Sequence, residues 1–334
     1  FAEIRSRSNA SEKDLMKWRQ SLMRISTDTT ANMDSMAESF KDMFSSVKNP
    51  DELLKIMKTI GNAAAMGDGD ATKVSGFVKA HLQGQGREIN DANVNDVIGS
   101  SDVLRRRGNG FKDIGDAMGA MNSVSGQDLQ RSGLSERKLA AIMAGATNTG
   151  SSKADSIAGI SELIKRSNNG VTEGSLLGGL IGSGNSLTKN GKFDPSRLAG
   201  GYSKLLAQNG GDENRAREMW NKTSGTANSD AIFNLMKNFK AFSSTIEDAE
   251  RDTKSFAQSA EEGKANLENA YKGFTNGLVT GVSEILGGFE KPFESLMQGH
   301  FGDAVKGLGG GLKQMGGGMM DHPGLVLGTL ATTA

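Results

Sequence analysis

The sequence predicts an all-α protein in which long coiled-coil-type helices flank a module of short helices, with a Gly/Met-rich apolar segment at the C-terminal end. Three observations carry that reading. Apolar residues recur at helical spacing along most of the chain, while the alternation of a half-buried strand is almost absent. Glycine and polar clusters separate apolar words of helical length. Between Ile232 and Phe274 a seven-residue repeat runs without a slip.

The first element is expected over 1–48. From Ser11 to Val47 one stripe holds Leu15, Trp18, Leu22, Ile25, Thr29, Met33, Met36, Phe40, Met43 and Val47. Two consecutive steps of four, Ile25 to Thr29 to Met33, form a stutter in an otherwise heptad-like pattern. A long helix follows, either joining a supercoil or lying on its own domain. Asn49-Pro50 ends it, because Pro50 suits the first position of a new helix and Asp51 and Glu52 suit its positive end.

A compact helical module is expected over 49–226. Its helices are predicted at 50–66, 70–83, 91–99, 111–122, 135–146, 153–167, 173–181, 195–207 and 212–222, with Gly67, Gly84, Gly99 and Gly133 as stops. Lys189-Asn190-Gly191-Lys192 is a turn signal without convincing strands beside it. Thr223 to Asn228 reads as a linker, and Ser229 with Asp230 offers a cap to the next helix.

That helix, expected over 227–288, carries the a/d series Ile232, Leu235, Phe239, Phe242, Ile246, Ala249, Thr253, Phe256, Ala260, Gly263, Leu267, Ala270 and Phe274. A narrow seam at period 3.5 buries side chains against another helix in coiled-coil geometry. Ile232 to Ile246 form its strong end, and the oligomer seam is assigned to this series. Gly273, Gly277 and Gly281 then form a small-xxx-small ladder suited to close helix packing. Residues 289–334 are glycine-rich but apolar, with Leu308, Leu312, Met315, Met319 and Met320 among the glycines. The uncharged run 323–334 is shorter than the ~20 residues that span a bilayer. Because the first residue is Phe1 and the last lie inside an apolar run, the sequence reads as an internal piece of a longer chain.

Composition narrows the function. With 39 basic and 39 acidic side chains the net charge is zero, which argues against a general nucleic-acid coat. No cysteine means no disulfide framework, thiolate metal site or thiol nucleophile. His81, His300 and His322 lack helical partners for a zinc site and read as structural or surface histidines. Asp68-Gly69-Asp70 lacks the rest of a calcium loop and reads as a helix boundary. Arg105-Arg106-Arg107 reads as a solvated helix end. Glu294-Ser295-Leu296-Met297-Gln298 fuses two elements that lytic transglycosylases keep apart. No catalytic residue, cofactor or metal is assigned.

The helical words Phe111-Lys112-Asp113-Ile114-Gly115-Asp116-Ala117-Met118 and Ser132-Gly133-Leu134-Ser135-Glu136 stand near the start of a region with a distinctive style. Leu139-Ala140-Ala141-Ile142-Met143-Ala144-Gly145 and Ala158-Gly159-Ile160-Ser161-Glu162-Leu163-Ile164 continue it. A long helix with Asp248-Ala249-Glu250 and Ala270-Tyr271-Lys272-Gly273-Phe274 comes next, then apolar glycine-rich sequence. Over 110–334 this organisation resembles the tail tape measure proteins of tailed bacteriophages. The resemblance implies a non-enzymatic protein in the lumen of the tail tube, present as three or six parallel copies of itself. It implies tail tube and tail tip proteins as partners, the setting of tail length, and ejection ahead of DNA across the host membrane, with no sequence-specific nucleic acid binding. The alternatives are a secreted membrane-active translocator or pore-former and an envelope-degrading enzyme built on the helical module.

Overall fold

The structure, a computed structural model, describes residues 4, 10–47, 49–169, 176–181 and 187–265. It is all-α apart from one small hairpin.

The first stripe forms two helices, α1 (Glu12–Thr29) and α2 (Met33–Phe44), instead of the single helix expected. Ser11 and Asp14 close a capping box at the start of α1. The chain then turns through Thr30 at φ 60°, and Asn32 caps α2. The stutter centred on Thr29 therefore marks a helical hairpin. Thr29 is buried, its hydroxyl donating to Ile25 O at 2.7 Å, with Gly61 of the next helix pressed against it.

Local caps start the helices that follow. Asn49 precedes α3 (Pro50–Ala65), with Pro50 in its first turn as expected. Asp70 caps α4 (Ala71–Gly84), Asn90 caps α5 (Asp91–Arg107) and Asp113 caps α6 (Ile114–Met121). Ser125 caps α7 (Gly126–Ser132), a helix absent from the sequence reading, and Ser135 caps α8 (Glu136–Thr147). Gly133 does end α7, at φ +65°. Gly99 ends nothing: it lies inside α5, where Phe256 approaches the position a Cβ would take.

The chain continues through α9 (Lys153–Asn169), α10 (Leu176–Ile181) and a hairpin of β1 (Thr188–Lys189) and β2 (Lys192–Phe193). Asn190 and Gly191, at φ 54° and 76°, make the predicted turn. Its strands are two residues each, too short to show alternation. The 195–207 helix is in fact a 3-10 turn (Pro195–Leu198) followed by α11 (Gly201–Gln208), and α12 is Glu213–Thr223.

The predicted long helix over 227–288 is interrupted twice within the described residues. It is α13 (Ser229–Lys237), α14 (Phe239–Arg251), an extended link at 252–255 and a helical stretch at 256–265.

Two buried clusters organise these elements. The first unites α1 to α4 with Val94, Val97 and Ile98 of α5, and takes in Phe256 and Ala260. The second surrounds α8 and includes residues of α9 to α14. Both expected boundaries, 48/49 and 226/227, fall within a cluster: α1 packs on α3, and α13 and α14 pack on α9 and α8. Helix α8 is the hub. Its apolar word Leu139 to Gly145 is hydrophobic on every side, the mark of a helix buried all round, and each of these residues is buried.

Candidate assembly site on α13 and α14

The residues assigned to the seam lie on α13, α14 and the helical stretch beyond them. Ile232 and Leu235 are buried on α13, and Phe242, Ile246 and Ala249 on α14, all in the second cluster. Phe239 is half-buried against the same cluster. Phe256 is buried in the first cluster instead. Leu267, Phe274, Gly273, Gly277 and Gly281 lie outside the described residues.

In this fold the chain's own helices cover the seam. Helix α14 runs along α8 so closely that a Cβ added to Gly145 would sit 2.8 Å from Phe242 O and 3.0 Å from Ile246 Cγ1. Gly145 is needed for that approach; a side chain there would push the two backbones apart. Within this fold α14 packs on α8 and α13 on α9, so the stripe has two partner helices in the same chain.

Polar groups fasten this segment at three points, and none is a local cap. At its N-terminal end Asn228 makes no side-chain capping bond, and neither Ser229 nor Asp230 serves as the cap expected. Glu162 of α9 does so from across the fold, accepting Ala227 N at 3.2 Å, Asn228 N at 3.1 Å and Asn228 Nδ2 at 3.0 Å. These N–H groups immediately precede α13, and the carboxylate lies beside its positive end. Burial raises the Glu162 pKa, but Asn228, Ala227 and Arg166 outweigh it and hold the carboxyl below its ordinary value.

At the break between α13 and α14, Asn238 Nδ2 donates to Thr149 O at 2.8 Å and Asn234 Nδ2 to Ser151 Oγ at 2.9 Å. The Asn238 side chain is thereby diverted from capping α14. The backbone barely departs from a helix here: Asn238 N still bonds Asn234 O at 2.9 Å, and Phe242 N bonds Asn238 O at 3.0 Å.

At the C-terminal end Asp252 is held by arginines from two helices. Its carboxylate accepts from Arg106 and from Arg107 Nε at 2.7 Å, and Arg137 of α8 donates to its carbonyl. Arg106 also bonds Asp102 at 2.9 Å, as does Arg105. Asp102 and Asp252 are both buried. Burial raises the Asp252 pKa and the guanidinium groups of Arg107 and Arg106 more than reverse it, leaving it below its ordinary value. The arginine run read as a solvated helix end is thus a clamp on the 252–255 link.

Elsewhere several titratable groups pair with one another. His81 Nε2 lies 2.8 Å from Glu136 Oε2, both buried, joining α4 to the first turn of α8. Asp70 caps α4 and Asp68 pairs with Lys73, so the Asp-Gly-Asp word is a helix boundary. Among the described residues no three His, Cys, Asp or Glu side chains cluster to hold a metal, and no helix is long and apolar enough to cross a membrane. A groove of about 550 Å³ between α3, α4 and α6 has rims of paired charges, Lys73 with Asp68 and Lys153 with Asp116.

Sequence reasoning missed Glu162, Asn238 and Asp252. The only signal for Asn238 was a polar residue beside the seam, and nothing local marks Glu162 or Asp252 as remote anchors. Comparison with protein-family models, with curated proteins and with solved structures finds no match.

Proposed function

We propose that this chain is a structural protein of a bacteriophage tail, of the tape measure kind. It occupies the tail-tube lumen as three or six copies, contacts tube and tip proteins, sets tail length, and leaves ahead of DNA to assist passage across the host membrane. The observation that carries the reading is the coherence of the words behind the resemblance. They correspond to α6, the α7–α8 junction, α8 and α9, consecutive helices around one hub, with the heptad seam laid against it. The lack of cysteine and the small number of prolines, 4 in 334 residues, suit a chain that must unpack through a tube. A helix advances 1.5 Å per residue, so a helical bundle converts chain length into tail length.

The test is genetic and microscopic. Duplicating the 232–274 repeat in the phage genome lengthens the tail by about 65 Å at the helical rise. Tails of unchanged length with the longer chain inside would remove the length-setting role. Absence of the chain from purified tails would sink the reading as a whole. For the membrane role, a 302–334 peptide gains helical circular dichroism on anionic vesicles, and a spectrum that vesicles leave unchanged argues against it.

A further inference from the structure

The arginine clamp carries more positive charge than its partners cancel. Arg105, Arg106 and Arg107 of α5 and Arg137 of α8 surround two buried carboxylates, those of Asp102 and Asp252. Arg106 is engaged at each nitrogen, donating to Asp102, to Asp252 and to Lys254 O. Arg105 gives Nε and one terminal nitrogen to Asp102. The surplus sits on the other two. Arg107 gives Asp252 only its Nε, at 2.7 Å, and its terminal nitrogens bond nothing among the described residues. Arg137 gives one terminal nitrogen to the Asp252 carbonyl, and no carboxylate among the described residues pairs with it.

Arg107 and Arg137 thus reach one residue from different helices, one at its carboxylate and the other at its carbonyl, with donors left over. Like charges gathered this way repel. Burial, with the charges of Arg106 and Arg107 beside it, holds the Arg137 pKa below its ordinary value against the pull of Asp252 and Asp102. The Arg107 side chain is 45% exposed, so solutes reach the place from water. An anion seated between the two takes up the leftover donors and offsets the crowded charge. The planar fork of a guanidinium matches the oxygens of a phosphate.

We infer that Arg107 and Arg137 form a binding site for a compact phosphate-type oxyanion, either inorganic or the terminal phosphate of a small ligand. The surroundings set its size. Glu250, paired with Lys138, and Glu262, paired with Lys254, stand before and after Asp252 in the chain. A nucleic-acid strand laid along this segment meets both carboxylates, and a net charge of zero supplies no wider field to draw it in. A small ion meets the guanidinium groups alone. Bound there, it bridges α5 and α8 across the 252–255 link and tightens the clamp.

The experiment is isothermal titration of pyrophosphate into the full chain, in chloride buffer of fixed ionic strength. Saturable binding is expected. Arg107→Gln and Arg137→Gln should each weaken it about tenfold or more, as the loss of a charge-assisted hydrogen bond does. Arg251→Gln removes the same charge from an exposed position next to Asp252, where Arg251 pairs with Glu247, and should leave binding unchanged. In the wild type, pyrophosphate should protect Arg107 from phenylglyoxal, read by mass spectrometry. That readout stands even if Arg137→Gln fails to fold. No saturable binding, equal losses in all three variants, or an unprotected Arg107 overturns the site. Short duplex DNA or phosphatidic acid vesicles that bind through the same two arginines more tightly than pyrophosphate overturn the choice of a free, compact ion.

Discussion

Helices α1 to α4 and helices α13 to α14 are held in place by different means. Each of the first four carries its own start signal: Ser11, Asn32, Asn49 and Asp70 all bond backbone N–H groups within three residues. The later pair has no side-chain cap of its own, and takes Glu162, Thr149 O and a set of arginines from other elements. A locally capped helix keeps its ends when its neighbours leave. A remotely fastened one depends on its docking to hold its ends.

Substitutions can sharpen that contrast. The largest effect belongs to the packing of α14: Phe242→Ala should cost about 3–5 kcal/mol in urea unfolding, because the ring is fully buried against α8. Next comes Asp252→Ala, expected to cost about 1.5–3 kcal/mol from lost charge-assisted hydrogen bonds. Its hydrogen-exchange signature should be confined to 229–265, and exposure spread evenly over α1 to α4 would break the distinction drawn here.

The remote clasps also predict a pH dependence. Asp252 and Glu162 both have carboxyls held below their ordinary values in the fold. Their contribution is therefore fully present above the unfolded-chain pKa and is lost as pH falls through the lower folded values. Acid should raise exchange in α13 and α14 before it does so in α3, and the reverse order would count against the clasps. A smaller effect is expected at a local cap. Ser11→Ala should cost about 1 kcal/mol and fray only the first turn of α1, visible as faster exchange there with the rest unchanged.

The sequence made the first kind of anchoring legible and hid the second. Asn49-Pro50 and Gly133 announce their roles because capping and positive φ are short-range matters of residue type. The stutter at Thr29 was visible too, but a stutter describes a seam and does not reveal that the seam has folded back on itself. The heptad from Ile232 implies one continuous seam, whereas the fold divides it: Ile232 to Ala249 pack in one cluster, and Phe256 and Ala260 in the other. That α14 packs on α8 follows from the close approach at Gly145, nearly a hundred residues earlier, and no periodicity reports that. Glu162 reads as one more polar residue on α9 until the fold brings Asn228 to it.

The apolar word Leu139 to Gly145 of α8 is buried on every side, and one of its two main covers, α14, arrives late. A ribosome working at roughly 5–20 residues per second needs on the order of 5–20 s after completing α8 to reach the end of α14. For that interval α8 has α5 against it but not α14. The order of synthesis therefore lets α8 settle on α5 before α14 closes over it.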